Sequence, residues 1–161
     1  MSVVPPLPPP PLTTPRSKGS RTKRVVIGGV IAIVVAIVAW IAGKGMYHNY
    51  RISSAAVERF HHELDQADYD AIWEDGTDAL RASGTRTGVI KVFEMVHQKM
   101  GNSGKTNSVG FRVNWQSGGV YVSHTFDTAF SNGQGQESFV WVVEQDQARL
   151  QSYHIESPLL R

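Results

Sequence analysis

The chain contains no cysteine among its 161 residues. This absence excludes disulfide bonds, a thiol nucleophile, thiolate metal sites and anchoring through a lipid-modified cysteine. Acidic residues are absent from positions 1–57, whereas five basic residues lie between positions 16 and 24. From Lys44 onward, eleven basic and fourteen acidic residues give a formal charge of −3, although the whole chain carries +2. The excess of positive charge therefore belongs to the N-terminal segment, and the sequence predicts no nucleic-acid partner for the remainder.

Residues 25–42 form an apolar run without a charge, VVIGGVIAIVVAIVAWIA. At 1.5 Å per residue, a helix of this length covers most of a hydrocarbon core that is about 30 Å thick. We therefore expect a transmembrane helix over residues 25–43. A cleaved signal peptide is the alternative, but its apolar region is usually shorter, and the segment Gly43-Lys44-Gly45 is the only small-residue cleavage pattern nearby.

Residues 1–24 precede this run and contain seven of the eight prolines. The composition predicts a disordered, proline-rich and basic tail with polyproline II character. Residues 5–8 match the P-x-x-P pattern that aromatic-lined grooves bind, and a passive tether is the alternative. Because basic residues are concentrated before the apolar run and only Lys44 follows it closely, we expect a cytoplasmic N-terminus and an extracytoplasmic domain over residues 44–161.

In the domain over residues 44–161, the spacing of the apolar residues changes once along the chain. Apolar residues spaced three or four apart predict three helices, at about residues 48–66, 70–82 and 87–100. After Gly104 the period becomes two, which predicts four strands, at about residues 107–116, 119–131, 137–145 and 148–157. Turn-forming residues separate the strands. The sequence therefore predicts the α+β class, with three helices packed on a curved four-stranded antiparallel sheet.

Six segments of this domain together carry a resemblance to a known family. They read FHHEL at 60–64, ADYDAIW at 67–73, VHQKMG at 96–101, TFDTAFSNG at 125–133, ESFVW at 137–141 and YHI at 153–155. As a set they resemble small uncharacterised bacterial membrane-anchored proteins with a nuclear-transport-factor-2-like (cystatin-like) domain, over nearly all of residues 50–161. The resemblance implies a cone-shaped fold of three helices against a strongly curved antiparallel sheet. With the charge bias around the apolar run, we expect this domain at the outer face of a bacterial inner membrane. The resemblance implies no reaction, since this fold hosts isomerases, dehydratases, transport adaptors and secretion-complex subunits.

Three histidines and one tryptophan are the candidates for a cavity site: His97, His124, His154 and Trp141. An imidazole beside a carboxylate could act as a general base, and three imidazoles could bind zinc. The alternative is that the histidines are hydrogen-bonded structural groups and that Trp141 belongs to the core. The segment HELDQ at 62–66 lacks the second histidine of an H-E-x-x-H zinc site. We expect no catalytic residue, metal or cofactor.

Alternation along the second predicted strand separates a further set of candidates. His124 shares one face with Val122 and Phe126, while the side chains that follow the opposite parity face the other way. That second set consists of Tyr121, Ser123, Thr125 and Asp127, and we expect it to form an interface for a homodimer or an envelope protein. The sequence thus favours a non-enzymatic binding or assembly module. The alternatives are an isomerase- or dehydratase-like cavity protein for a small apolar molecule, and a passive envelope spacer.

Overall fold

The computed structural model describes the backbone of residues 19–161 and the side chains of residues 33–161. The chain divides into two units between Ile41 and Ala42, and the second unit, Ala42–Arg161, is compact. The side chains of residues 25–32, where the expected transmembrane helix over residues 25–43 begins, lie outside the described part. Most of the expected proline-rich tail lies outside it as well. In the part of the chain that the structure describes, no helix is both long enough and apolar enough to cross a membrane.

The described residues form four helices and four strands, followed by a short 3₁₀ turn at Pro158–Leu160. The helices are α1 Gly19–Asp65, α2 Tyr69–Glu74, α3 Asp78–Ala82 and α4 Arg86–Met100. The strands are β1 Ser103–Gln116, β2 Gly119–Phe130, β3 Gly133–Glu144 and β4 Gln147–Glu156. All four strands belong to one antiparallel sheet in the order β1-β2-β3-β4. The predicted α+β class and the four-stranded antiparallel sheet are confirmed.

The prediction of one helix over residues 70–82 is wrong, because two short helices occupy this segment. The chain turns at Gly76, where an added Cβ would lie 2.5 Å from Leu80 Cδ2. Thr77 then caps α3, since its hydroxyl oxygen accepts a hydrogen bond from the Leu80 amide at 3.3 Å. The Thr77 amide also donates to the Leu150 carbonyl of β4 at 2.8 Å. This bond to the sheet replaces a helical bond and fixes the break.

The hairpin between β2 and β3 is tighter than the sequence indicates. The predicted strands end at residue 131 and resume at residue 137, but β3 already begins at Gly133. Gly135 lies inside the strand, where an added Cβ would approach Ile155 Cδ1 to 3.1 Å and Met100 Cε to 3.2 Å. This glycine therefore allows close packing of a helix and a neighbouring strand, and it does not form the turn.

Strand β1 begins at Ser103, which is earlier than the expected start near residue 107. The Asp65 carboxylate at the end of α1 accepts hydrogen bonds from the Ser103 amide and from the Ser103 hydroxyl, both at 2.8 Å. Two hydrogen bonds to one carboxylate hold the first residue of the strand against the helix end. The sheet is therefore fixed to α1 from its first residue.

The core lies between the helices and the inner face of the sheet. Phe60 of α1 packs edge-on against Phe93 of α4 and Phe139 of β3, with ring centroids 5.7 Å and 5.2 Å apart. Phe139 stacks on Trp141 at 5.5 Å. The largest fully buried apolar side chains are Trp141, Phe93, Phe139, Leu64, Ile72 and Met100. Interlocking rings thus fill the space that an open cone would leave to a ligand.

Gly101 ends α4 with a backbone conformation that other residues adopt at a cost. Its φ is 75° and its ψ is −163°, and an added Cβ would overlap with Ser131 Oγ. We expect Gly101→Ala to lower the free energy of unfolding by about 2 kcal/mol, measured by urea denaturation of residues 42–161, because strain and a steric clash act together.

Gly84→Ala is the matched control for this substitution. A Cβ at Gly84 would meet only Val89 Cγ2, at an ordinary 3.7 Å. An equal loss of stability in the two variants would contradict the role of Gly101.

Candidate functional site

His124 is fully buried on the inner face of β2. Its Nδ1 lies 3.0 Å from Ser53 Oγ, and its Nε2 lies 2.8 Å from Ser108 Oγ. The Ser53 hydroxyl donates to the Tyr50 carbonyl, so it accepts from Nδ1–H, and Nε2 accepts from the Ser108 hydroxyl. Burial lowers the pKa of His124 to about 4. The imidazole is therefore neutral at pH 7, with both nitrogens engaged inside the protein.

His97 is half-buried on the last turn of α4. Its Nδ1 lies 2.9 Å from the Tyr69 hydroxyl, and its Nε2 lies 3.1 Å from Asn102 Oδ1. Burial, followed by the negative charge of Glu94, raises the pKa of Tyr69. The phenol therefore stays protonated and donates to the imidazole. His97 thus connects the start of α2 with the loop before β1 through hydrogen bonds between side chains.

His154 and Trp141 lie on opposite faces of the sheet. The His154 side chain is 67% exposed, and its Nε2 is 3.4 Å from Glu156 Oε1. Trp141 is buried in the core, where its Nε1 makes no hydrogen bond to any described residue. A cavity of about 10 Å³ adjoins Trp141 between α1 and β4. Trp141 thus packs as core in the described part of the chain.

The structure does not bring the three candidate histidines together. His124 lies inside the core, His97 contacts Tyr69 and Asn102, and His154 faces solvent on the outer side of the sheet. In residues 33–161, no group of three or more histidine, aspartate or glutamate side chains is arranged to hold a metal ion.

A different buried polar group, Glu137 of β3, joins four elements of the fold. Its carboxylate is fully buried. Oε2 accepts hydrogen bonds from His61 Nε2 of α1 at 2.8 Å and from Thr128 Oγ1 of β2 at 2.5 Å. Oε1 accepts from the Tyr153 hydroxyl of β4 at 2.8 Å. Three donors thus compensate for the removal of this carboxylate from water, which would otherwise be costly. We refer to Glu137, His61, Thr128 and Tyr153 as the Glu137 cluster.

Tyr153 is the member of the Glu137 cluster that lies nearest to the surface. Burial, followed by the charge of Glu137 and the hydrogen bond to it, raises the pKa of Tyr153 well above its usual value. The phenol therefore remains a donor throughout the neutral range. Its ring also borders a cavity of about 140 Å³ between α3, α4 and β4. The other lining residues are Leu80, Ser83, Val89, Val92 and Phe93.

A carboxylate between an imidazole and a phenol can hold and transfer a proton. In the Glu137 cluster, three donors from α1, β2 and β4 already bind the carboxylate. The geometry therefore serves mainly to hold α1 and three strands together.

Sequence reasoning misses the Glu137 cluster, although one signal is present. Glu137 has the same strand parity as Phe139 and Trp141, which places a carboxylate among aromatic residues on the inner face. His61 likewise lies next to Phe60 on the apolar stripe of α1, four residues after Val57. A charged or polar residue on a core-facing position needs a buried partner. This rule identifies both residues as candidates but does not pair them.

The outer face of the sheet carries the four interface candidates. The predicted alternation is confirmed: Val122, His124 and Phe126 are buried, whereas Ser123 and Asp127 are exposed. Tyr121 and Thr125 are half-buried. The strand register aligns Asp127 with three further polar residues in one row across the sheet: Asn107, Asp127, Gln136 and Glu156. Polar side chains therefore dominate this end of the outer face.

An open groove of about 540 Å³ follows this polar row. Lys105 and Gln134 also line it. Gln136 Nε2 donates to Asp127 Oδ1 at 2.9 Å, while no ion pair within residues 33–161 involves Lys105 or Asp127. We call this surface, lined by Lys105, Asn107, Asp127, Gln134, Gln136 and Glu156, the outer groove. It presents a cation and two carboxylates to solvent.

No model of a known protein family and no curated protein matches this chain.

Proposed function

We propose that the chain is a membrane-anchored, non-enzymatic assembly module, with a nuclear-transport-factor-2-like domain at the outer face of a bacterial inner membrane. In this proposal, residues 25–43 span the membrane and residues 1–24 form a cytoplasmic tail. The domain, residues 44–161, then pairs with a second copy through the outer face of its sheet. The observation that carries the proposal is the contrast between a filled interior and an open, charged outer groove.

The filled interior argues against a deep substrate cavity. The rings of Phe60, Phe93, Phe139 and Trp141 contact one another where a cone would hold its ligand. The candidate imidazole at His124 is engaged by two serine hydroxyls. An exposed surface with complementary charges can bind a partner, whereas the filled interior cannot.

The charges of the outer groove are self-complementary. In a twofold dimer each patch meets its own copy, so that Lys105 of one subunit can approach a carboxylate of the other. Asp127 and Glu156 line the same groove as Lys105. Thr125 and Tyr121 continue the same face along β2 toward the β1–β2 hairpin and supply half-buried contact area. The outer face therefore combines a polar end with less polar surface, as non-obligate interfaces do.

Charge reversal tests this arrangement. We expect Lys105→Glu to weaken self-association about tenfold, or ~1.4 kcal/mol, because it places like charges across the interface. Adding Asp127→Lys to the same chain restores the opposite-charge pairs and should recover most of the affinity. Sedimentation of the full chain in detergent measures both effects.

Lys91→Glu supplies the matched control, because it makes the same charge change at a position of α4 outside the outer groove. A chain that stays monomeric at every concentration would contradict self-association, and the search would then turn to a separate envelope protein. If Lys91→Glu weakened self-association as much as Lys105→Glu does, the effect would come from the net charge of the chain.

A small apolar ligand is the second candidate, and the cavity beside Tyr153 favours it. Four of its lining residues are apolar, namely Leu80, Val89, Val92 and Phe93. Its volume of about 140 Å³ suits a molecule no larger than a few carbon atoms. Native mass spectrometry distinguishes the two proposals, since a bound ligand adds mass to each subunit whereas assembly adds whole subunits.

A further inference from the structure

Four large side chains are exposed at one end of the compact unit Ala42–Arg161. Three belong to α1, where Met46 is 50% exposed, Tyr47 65% and Tyr50 37%. The fourth is Trp115, 64% exposed, next to the last residue of β1 where the chain enters the β1–β2 hairpin. Tryptophan and tyrosine in such numbers on a surface indicate a contact with an apolar or interfacial medium.

Helix α1 contacts strand β1 at two levels, and the two elements run in opposite directions. At one end Asp65 binds Ser103, and further along the Tyr50 ring lies 5.2 Å from the Phe111 ring. Between these contacts, α1 advances about 22 Å at 1.5 Å per residue. Strand β1 advances about 26 Å at 3.3 Å per residue. The similar lengths place the two elements alongside each other over this distance.

The same geometry places Trp115 level with the beginning of the compact unit. Trp115 lies four residues beyond Phe111, or about 13 Å along the strand. A rise of about 13 Å from Tyr50 along α1 passes Met46 and reaches the level of Ala42. Trp115, Met46 and Tyr47 therefore belong to one end of the unit, which we call the aromatic end.

The chain itself connects the aromatic end to the apolar run. The expected span finishes at Gly43, and Met46 follows only three residues later. Even a fully extended chain covers only about 11 Å over three residues. If residues 25–43 cross a membrane, the lipid surface lies within that distance of Met46.

We propose that the β1–β2 hairpin docks on the lipid surface, with the Trp115 indole at the level of the headgroups. The hairpin suits this position because residues 113–126 contain no lysine, arginine, aspartate or glutamate, so that no charge has to be desolvated. The β3–β4 hairpin at the same end is polar, since its Asp146 pairs with His48 of α1 at 2.8 Å. The outer groove lies at the opposite end of the strands and stays free. This inference depends on the expected span but not on self-association.

A spin label tests the position of the hairpin. Because the chain lacks cysteine, Ser117→Cys provides a unique attachment site in the hairpin while Trp115 stays in place. The full chain is reconstituted into phosphatidylethanolamine–phosphatidylglycerol vesicles, and collisions of the label with oxygen and with a water-soluble nickel chelate are measured. We expect an oxygen-to-nickel ratio several-fold higher than that of a label at Lys99→Cys, an exposed position on the last turn of α4.

A second substitution separates docking by Trp115 from mere proximity to the vesicle. Trp115→Ser in the Ser117→Cys chain should lower the ratio to the value found at position 99. A ratio at position 117 that equals the ratio at position 99, in a chain that floats with the vesicles, overturns the docking inference and leaves the span intact. A chain that does not float overturns both, whereas the subunit count in detergent tests self-association separately.

Discussion

Replacing Glu137 with alanine is expected to lower the free energy of unfolding by about 3–5 kcal/mol, because three buried donors lose their shared acceptor and a cavity forms. His61, Thr128 and Tyr153 all direct a donor at this carboxylate. In the variant these donors stay buried without an acceptor, and a cavity forms in the space that the side chain leaves. Urea denaturation of residues 42–161, followed by circular dichroism, measures the change.

Two further variants serve as controls for the loss of stability in Glu137→Ala. Glu137→Gln retains the shape and one acceptor oxygen, so it should cost clearly less than alanine. Glu156→Ala removes a carboxylate of which 74% is exposed and should change stability by about 0.5 kcal/mol or less. A loss below about 1 kcal/mol for Glu137→Ala would show that the Glu137 cluster contributes little to the fold.

The sheet could be predicted from the sequence because burial follows the parity of its residues. Along β2, Val122, His124 and Phe126 are buried, and the residues between them are not. Such a pattern is local, so that no knowledge of distant contacts is needed to recognise it. The α+β class follows from the same reasoning, since the apolar period changes from helical to extended near Gly104.

The break between α2 and α3 could not be predicted in the same way. Residues 70–82 have an acceptable helical pattern, but Arg149 Nη2 donates to the Gly76 carbonyl at 2.7 Å and Leu150 accepts from the Thr77 amide. Both bonds come from β4, which lies far from this segment along the chain. Tertiary contacts therefore override a local preference that is only a few tenths of a kcal/mol per residue.

The candidate sites, too, could be predicted from the sequence only in part. The histidines could be named from the sequence, but the position of His124 between Ser53 and Ser108 depends on the packing of α1 against two strands. The outer groove depends on register, since only the pairing of strands aligns Asn107 and Asp127 with residues of β3 and β4. A shift of one residue would disperse this row.

The free energy of unfolding is also expected to change strongly with pH, because of His124. Burial lowers the pKa of His124 to about 4 in the folded protein, while an unfolded histidine has a pKa of about 6.5. Between these values the unfolded chain binds a proton that the folded chain does not, so stability falls as the pH falls. The stabilisation is complete above about pH 6.5 and is lost down to about pH 4. The difference of about 2.5 pKa units corresponds to about 3 kcal/mol.

The test compares the pH dependence of unfolding in two variants. We expect the free energy of unfolding of residues 42–161 to decrease by about 3 kcal/mol less between about pH 7.5 and pH 4 in His124→Gln than in the unchanged chain. His154→Gln removes an exposed imidazole and should leave the dependence unchanged. Equal slopes for His124→Gln and the unchanged chain would mean that His124 takes up its proton in the folded state as readily as in the unfolded state. The contacts with Ser53 and Ser108 would then have to accommodate an imidazolium, because a hydroxyl that donates to Nε2 must turn to accept from it.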